Sequence, residues 1–262
     1  MTANETNYNS VQASFGPNAH YYTISTGHGN PARLAELVEK VRPNPTDRVL
    51  DIGTGAGHTA IAFAPQAGEV VAFDLTPSML EETARNAAAK GVTNLTTRQG
   101  AAENLPFEDN SFDIVVCRYT THHFTNIRQA VAEMARVLKP GGKWVIMDTT
   151  VPENPELDRQ INGIDWLRDP SHIRSYSEPE WRNFAEGAGL KVTGVEHGYY
   201  DENGKMDFEV WTRRIGTSAE NKARLAEIFR NAGPDLTHAL QLEVAGEEIH
   251  FTLPVLTIMA VK

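Results

Sequence analysis

From about Asp47 to Met147 the chain alternates five short runs, RVLDIG, EVVAFD, NLTTRQG, FDIVVC and KWVIMD, with stretches of helical periodicity. No other feature constrains the fold as tightly. Strands buried on both faces read as short continuous runs rich in Val, Ile and aromatic residues, and such runs separated by helices build a parallel sheet with helices on both faces. Right-handed crossovers then give a doubly wound, Rossmann-like α/β fold.

The helices carry their own punctuation. TPSMLEETARNAAAKG opens with Thr76 as N-cap and Pro77 at the first helical position, and ends on Gly91. NIRQAVAEMARVLKPGG places Ile127, Ala130, Val131, Met134, Val137 and Leu138 on one face and stops at Pro140-Gly141-Gly142. Beyond Thr149 the pattern loosens: VPENPELD reads as a loop, SEPEWRNFAEGAGL as a capped helix feeding the strand LKVTGVEH, and SAENKARLAEIFRNAG as a further helix. The closing run EIHFTLPVLTIMAVK reads as one final strand with Pro254 at a bulge or an edge. Residues 1–30 have little periodicity and read as a flexible arm that orders over a ligand. The expected organisation is therefore an arm over 1–30, a core over 31–198 and 248–262, and a small helical lid inserted over 199–247.

Composition narrows the partners. A net charge of -10 argues against a large nucleic-acid footprint, because phosphate binding needs clustered Lys and Arg. No run approaches the roughly 18–20 apolar residues of a membrane span, and MTANETNYNS lacks a charged-then-apolar signal pattern, so the cytosol is the expected location and membrane insertion is not expected. The single cysteine, Cys117, sits in an apolar run and reads as a buried strand residue. Nine histidines are scattered without an HExxH or CxxC pattern, so no metal is expected. Partners reduce to a small-molecule acceptor, with a homodimer compatible with the sequence.

The loop DIGTGAGHT says what the fold would bind. Its glycines, Gly53, Gly55 and Gly57, are spaced GxGxG rather than the GxGxxG of dinucleotide sites, and Asp51 lies two residues before the first. A carboxylate there would repel a diphosphate and attract a cationic amino-acid group. Asp74 ends the next strand twenty-three residues on, where a carboxylate accepts ribose hydroxyls in either cofactor class. S-adenosylmethionine, with an ammonium, a sulfonium and no phosphate, fits both acids. A glycine-rich turn by itself is also an ordinary structural device.

The stretches VLDIGTGAGHTA, VVAFDLTPSML, GAAENLPFEDNSFDIVVCRYTTHHF and VLKPGGKWVIMD, over roughly residues 47–149, together resemble the class I S-adenosylmethionine-dependent methyltransferases. Within them the chain is similar to the ubiquinone/menaquinone biosynthesis C-methyltransferase (methyltransferase type 11) group. The resemblance implies a seven-stranded sheet with its last strand antiparallel. It implies that Gly53 and Gly55 pack against the methionine part, that Asp51 holds the ammonium directly or through water, and that Asp74 takes the ribose. Leu75 and Met79 would flank the adenine, and Tyr21 and Tyr22 would belong to an arm closing over the cofactor. Many relatives carry an Asp at the position of Ala101, so adenine recognition here would rest on backbone at Ala102 and on Glu103.

Strand four ends at Cys117-Arg118-Tyr119 and runs into Thr120, Thr121, His122, His123 and Phe124, a loop expected to face cofactor and acceptor. Arg118 and His123 are thus cofactor-side candidates. A phenol, enol or activated ring carbon must lose a proton, and His122, His123, Tyr119 and His172 are candidate bases because imidazole titrates near neutrality. His172 and Arg174 lie in the segment expected to cover the pocket and could bind an acceptor carboxylate or hydroxyl. Tyr176, Trp166 and Trp211 either line an apolar acceptor pocket or pack the lid. The expected function is methyl transfer from S-adenosylmethionine to oxygen or carbon of a small organic acceptor, aromatic and quinone-like ones included, releasing S-adenosyl-L-homocysteine. The alternative is a protein that binds S-adenosylmethionine without methylating, as a structural cofactor or as a cyclase or rearrangement catalyst. A nicotinamide-dependent reductase is opposed by the LKPGG turn and by Asp51.

Overall fold

The computed structural model describes residues 3–25, 27–200 and 204–262, with side chains from Asn7 onward. The N-terminal segment is helical, with α1 (Ala3–Phe15) and α2 (Ala19–Thr23), followed by α3 (Pro31–Val41). The expected strand runs then appear in turn: β1 (Arg48–Ile52), α4 (His58–Phe63), β2 (Glu69–Asp74), α5 (Pro77–Ala89), β3 (Leu95–Gln99), β4 (Phe112–Arg118), α6 (Ile127–Val137) and β5 (Leu138–Thr149). The chain continues through α7 (Pro155–Arg168), α8 (Glu178–Gly187) and β6 (Lys191–Tyr200). Next come β7 (Met206–Asp207), α9 (Phe208–Arg214), α10 (Ala219–Arg230), α11 (Pro234–Ala239), β8 (Glu243–Ala245), β9 (Glu248–Phe251) and β10 (Leu253–Val261).

The main sheet has seven strands in the order β3-β2-β1-β4-β5-β10-β6, and β10 runs antiparallel to both of its neighbours. This is the α/β, doubly wound architecture anticipated from the alternating runs. Strand order reverses between β1 and β4, so the loops after these two strands leave on opposite faces and open a crevice between them.

Alternating side chains of the central strands feed two apolar layers. Leu50, Ile52, Phe73, Val115 and Trp144 pack with Met134 of α6 and Trp181 of α8. Val49, Val70, Val116 and Val145 face Leu37, Val38 and Val41 of α3 and Phe63 of α4 on the other side. Cys117 is wholly buried in the first layer, where burial pushes its thiol well above the ordinary range.

Local signals hold with small differences. Pro77 begins α5 as expected, but the Thr76 side chain makes no capping bond, and Thr76 N–H donates to Asp74 instead. Helix α6 stops at Val137 rather than at the Pro-Gly-Gly triplet, because Leu138 already pairs with Phe112 in the sheet. Helix α8 is capped through Ser177 N–H, which donates to Glu180 Oε2 at 2.9 Å.

The closing run is two strands, not one. The chain breaks at Thr252, so β9 joins β7 and β8 in a separate three-stranded sheet while β10 enters the main one. That small sheet and α9–α11 share an apolar cluster with Ile161 and Ile164 of α7, centred on Trp211, Phe229 and Phe251. Trp211 stands edge-on to Phe251, with centroids 4.9 Å apart. Among the described residues, no helix is long and apolar enough to cross a membrane.

Candidate active site

The three glycines of the loop serve three different purposes. At Gly53 (φ +65°) a Cβ would come within 2.2 Å of Thr120 Cγ2, so the β1 and β4 loops can meet only over a glycine. At Gly57 a Cβ would lie 2.8 Å from Thr83 Cγ2, which sets the approach of α5. Gly55 also has a left-handed backbone (φ +55°), but nothing lies within 4 Å of its Cβ position, so its free side faces open space. Gly53 and Thr54 N–H both donate to Phe73 O, tying the loop to the end of β2.

Two acids flank this loop. Asp51 is 1 % exposed; Thr54 Oγ1 (2.6 Å) and Ala60 N–H (3.0 Å) donate to its Oδ2, and burial raises its pKa to about 7. Asp74 accepts from Gly55 N–H (2.9 Å) and Thr76 N–H (2.8 Å), and burial raises its pKa as well. Arg118 donates to Thr59 Oγ1 (2.9 Å) and to His28 O, and lies over the Tyr119 ring.

Two cavities adjoin the loop. One, of about 430 Å³, is walled by Leu75, Ala101, Ala102, Glu103 and Phe124. The other, of about 610 Å³, is walled by Gly55, Ala56, Met79, Arg118, Tyr22 and His28. Gly53, Asp74, Thr120, His123 and Val11 line both. Leu75 and Met79 line different cavities: Leu75 walls the first, and Met79 is buried against Tyr22 and Ala56 on the glycine side. Glu103 borders the first cavity, but its carboxylate is engaged by Thr125 N–H (2.8 Å), Thr125 Oγ1 (2.8 Å) and Tyr8 Oη (3.1 Å).

Helix α1 roofs these cavities. Gln12 Nε2 donates to Leu75 O (3.0 Å), Asn7 Nδ2 to His123 O (2.9 Å) and Ser14 Oγ to Asp169 Oδ1 (3.3 Å). Tyr22 faces inward at 9 % exposed, but Tyr21 is 52 % exposed and lines none of the cavities around the loop. Successive helical residues point about 100° apart, so α2 can present only one of the pair.

A third cavity, of about 620 Å³, joins the glycine-side one through Phe15, Tyr22, His28, Tyr119 and His123. Its far walls bring Asp165, Arg168 and Asp169 from the end of α7 together with Trp211, Arg214 and Tyr200 from the second half of the chain. All three candidate histidines are here. His122 Nδ1–H donates to Asp148 Oδ1 at 2.7 Å, leaving the Nε2 lone pair free. Burial opposes its charge, but Asp148 outweighs burial and the His122 pKa is raised. Burial also works against Asp148, yet His122 and the donors Thr121 N–H (2.7 Å), Thr121 Oγ1 and Thr149 N–H (2.7 Å) hold its pKa at about 2.

His123, 8 % exposed, lines all three cavities, and burial followed by the His122 charge lowers its pKa to about 4. His172 donates through Nε2 to Asn162 Oδ1 (3.0 Å), and burial with the neighbouring histidines presses its pKa to about 2. His172 lines the chamber beside His122, with ring centroids 5.5 Å apart. Arg174 is turned away from the chamber, bridging Asp158 (2.7 Å) and Glu180 (3.3 Å). Trp166 is 57 % exposed, Tyr176 packs edge-on against Phe184 and Trp181, and Trp211 both packs the lid and lines the chamber.

Sequence reasoning missed Asp148, His28, Asp165, Arg168, Asp169 and Arg214. Asp148 had a readable signal, since KWVIMD ends in an acid as RVLD and EVVAFD do. Among the described residues, no cluster of three or more His, Cys, Asp or Glu could hold a metal ion.

Comparison with known proteins bears on what this crevice does. A family model described as a methyltransferase domain matches residues 50–146, the span from β1 into β5. The uncharacterized methyltransferase YcgJ of Bacillus subtilis (strain 168) is 36% identical over 253 residues, covering 96% of this chain and 98% of that protein. The crystal structure of YcgJ superposes with a TM-score of 0.83 over 87% of this chain and 97% of its own. The ubiquinone/menaquinone biosynthesis C-methyltransferase UbiE of Ectopseudomonas mendocina (strain ymp) is 40% identical over 117 residues, 43% of this chain and 46% of that one. The similarity to YcgJ runs through arm, sheet and lid alike, and on that ground the chain belongs to the class I S-adenosylmethionine-dependent methyltransferases.

Proposed function

We propose that the chain transfers a methyl group from S-adenosylmethionine to oxygen or carbon of a small organic acceptor held in the third cavity, quinone-like and other aromatic acceptors included. The observation that carries this reading is continuity: His123 lines the two cavities along the glycine loop and the histidine-rich chamber beside them. A cofactor laid along the loop would have its reactive end at the chamber's mouth.

The residues suit that cofactor. The open side of Gly55 leaves room for a close approach, and a buried carboxyl with its pKa at about 7, such as Asp51, gains from an incoming cation. Adenine would lie between Leu75 and the backbone of Ala101 and Ala102, ribose on Asp74, and the amino-acid end between Asp51 and Arg118. Bound there, S-adenosylmethionine supplies a methyl group already made electrophilic by its sulfonium.

The protein then has two tasks. It aligns the acceptor, which in well-oriented systems is equivalent to effective molarities on the order of 10⁵–10⁸ M, and it excludes water with the arm and the lid. His122 takes the acceptor proton: Asp148 fixes its Nδ1–H, so Nε2 is the basic nitrogen, and its raised pKa suits a base working near neutrality. In this reading the arm over 1–30 and the lid over 199–247 act as the two covers of a core that works in the cytosol.

Incubation of the protein with methyl-labelled S-adenosylmethionine and a small-molecule extract tests the proposal. Label appearing in a small organic product together with S-adenosylhomocysteine supports it. Tight cofactor binding with neither product would overturn it in favour of a non-methylating role.

A further inference from the structure

The end of α7 carries three charged groups that form no salt bridge with one another, although the Arg168 charge acts on both carboxyls. Asp165, Arg168 and Asp169 are spaced i, i+3 and i+4, a spacing that normally permits pairing. Arg168 forms no ion pair with any described residue; its Nε donates to Trp211 O (3.2 Å) and its guanidinium rests over the Trp211 ring, 4.9 Å from the centroid. Asp165 is 8 % exposed and accepts no hydrogen bond from any described residue. Asp169 is 2 % exposed; Ser171 N–H (2.9 Å) and Ser171 Oγ (2.7 Å) satisfy its Oδ1, while its buried Oδ2 has no partner and lies 4.0 Å from His123 Nε2.

All three border the same cavity of about 620 Å³, and Arg214 of α9, the helix whose Trp211 carries the Arg168 guanidinium, lines it as well. Buried charge without a partner is costly, and a ligand that pairs with it would offset that cost. Here the uncompleted groups are of both signs. A ligand with a single charge would leave either the guanidinium or the carboxyls uncompensated, whereas one that is anionic at one end and a hydrogen-bond donor at the other satisfies both. A planar guanidinium fixed over an indole presents its remaining N–H groups as a fork, the geometry that matches a carboxylate. Phe15, Tyr119, Tyr200 and Trp211 supply apolar walls for the body between the two ends.

We propose that the acceptor is a small carboxylate bearing a hydrogen-bond-donating group, a hydroxyl or an amine, at its far end: the carboxylate seats on Arg168 beside Arg214, and the donor faces Asp165. This rests on the reading of the third cavity as the acceptor site. The donor end then lies near His122, whose charge acts directly on Asp165.

Calorimetric titration of the full chain saturated with S-adenosylhomocysteine tests the assignment. The probes are hydroxybenzoates and short amino carboxylic acids, each paired with its neutral amide, plus benzoate as a carboxylate without a donor. We expect at least one donor-bearing carboxylate to bind ten-fold or more tightly than its amide. R168Q should erase that preference, R168K should restore part of it, and D165N should remove the advantage over benzoate. The arm that binds, hydroxy or amino, identifies the donor. Equal binding of acids and amides, a preference that survives R168Q, or no binding by any probe while S-adenosylhomocysteine binds, would overturn the assignment. Failure of S-adenosylhomocysteine itself to bind would instead overturn the methyltransferase reading beneath it. S-adenosylhomocysteine affinity, measured in parallel for each variant, reports whether the fold survives the substitution.

Discussion

Asp51 and Asp148 are both buried strand-end carboxyls, and their surroundings push them in opposite directions. For Asp51 burial outweighs the hydroxyl and amide donors and the Arg118 charge, and its pKa rises to about 7; Asp148 faces His122 and several donors, and falls to about 2. For Asp51 the folded value exceeds the unfolded one, so the folded state holds the extra proton and this group's ionisation costs stability as pH rises from about 4 through 7. An incoming cation offsets that cost only when Asp51 is ionised. Affinity for S-adenosylmethionine should therefore fall by up to about ten-fold per pH unit below about 7 and level off above it, and D51N should bind weakly with a flat profile; titration calorimetry across this range checks both. A profile unchanged by D51N would remove Asp51 from the cofactor site. Asp148 works the other way, contributing stability above its unfolded pKa and losing it as pH falls towards 2. Because it also raises the His122 pKa, D148N should move the acidic limb of the methylation rate to lower pH and lower the plateau by about 10²–10⁴-fold, the range for a general base. A limb that stays in place would mean His122 is not the base.

Helix α1 is held over the cavities beside the glycine loop by polar side chains, Asn7, Tyr8, Gln12 and Ser14, each bonded to a residue of the crevice rather than to the apolar core. An element fastened in this way opens at low free energy. Removal of residues 1–16 should leave the cooperative unfolding of the remainder nearly unchanged and weaken S-adenosylhomocysteine binding ten-fold or more, read by thermal shift with and without the ligand. Equal binding by the shortened chain would show that α1 covers the site without contributing to it. The same polar attachment explains why the arm was unreadable as helix: ANETNYNSVQASF has no apolar stripe, and Tyr8, Val11 and Phe15 are the side chains that reach the cavities. The core strands were legible for the opposite reason, since their burial depends on runs such as RVLDI and FDIVVC that any register must hide. The break at Thr252 escaped notice because EIHF and LPVLTIMAV are both apolar enough for a single strand; what separates them is that they pair with different sheets.

Across the whole molecule, the crevice is assembled from the ends of β1, β2, β4 and β5, the roof of α1, and the face that α7 and the lid turn inward. The part proposed to hold the cofactor lies within one continuous stretch of about a hundred residues, so local pattern was enough to make Asp51, Gly55, Asp74 and His123 candidates. The chamber proposed for the acceptor joins His28, Asp165, Arg168, Tyr200 and Arg214 from segments far apart in sequence, each of which alone resembles an ordinary loop or helix residue. Tyr21 and Arg174 illustrate the converse: both lie beside site residues in sequence, and the helix phase of α2 and the ion pairs with Asp158 and Glu180 turn them away. The proposed cofactor site runs from the Leu75 cavity along the glycine loop to the mouth of the histidine chamber. A crystal structure with S-adenosylhomocysteine bound should show adenine against Leu75 and Ala102, ribose hydroxyls on Asp74, and the sulfur facing the opening between Tyr22, Tyr119 and His123. A ligand seated elsewhere, or with its sulfur turned away from that opening, would overturn this assignment.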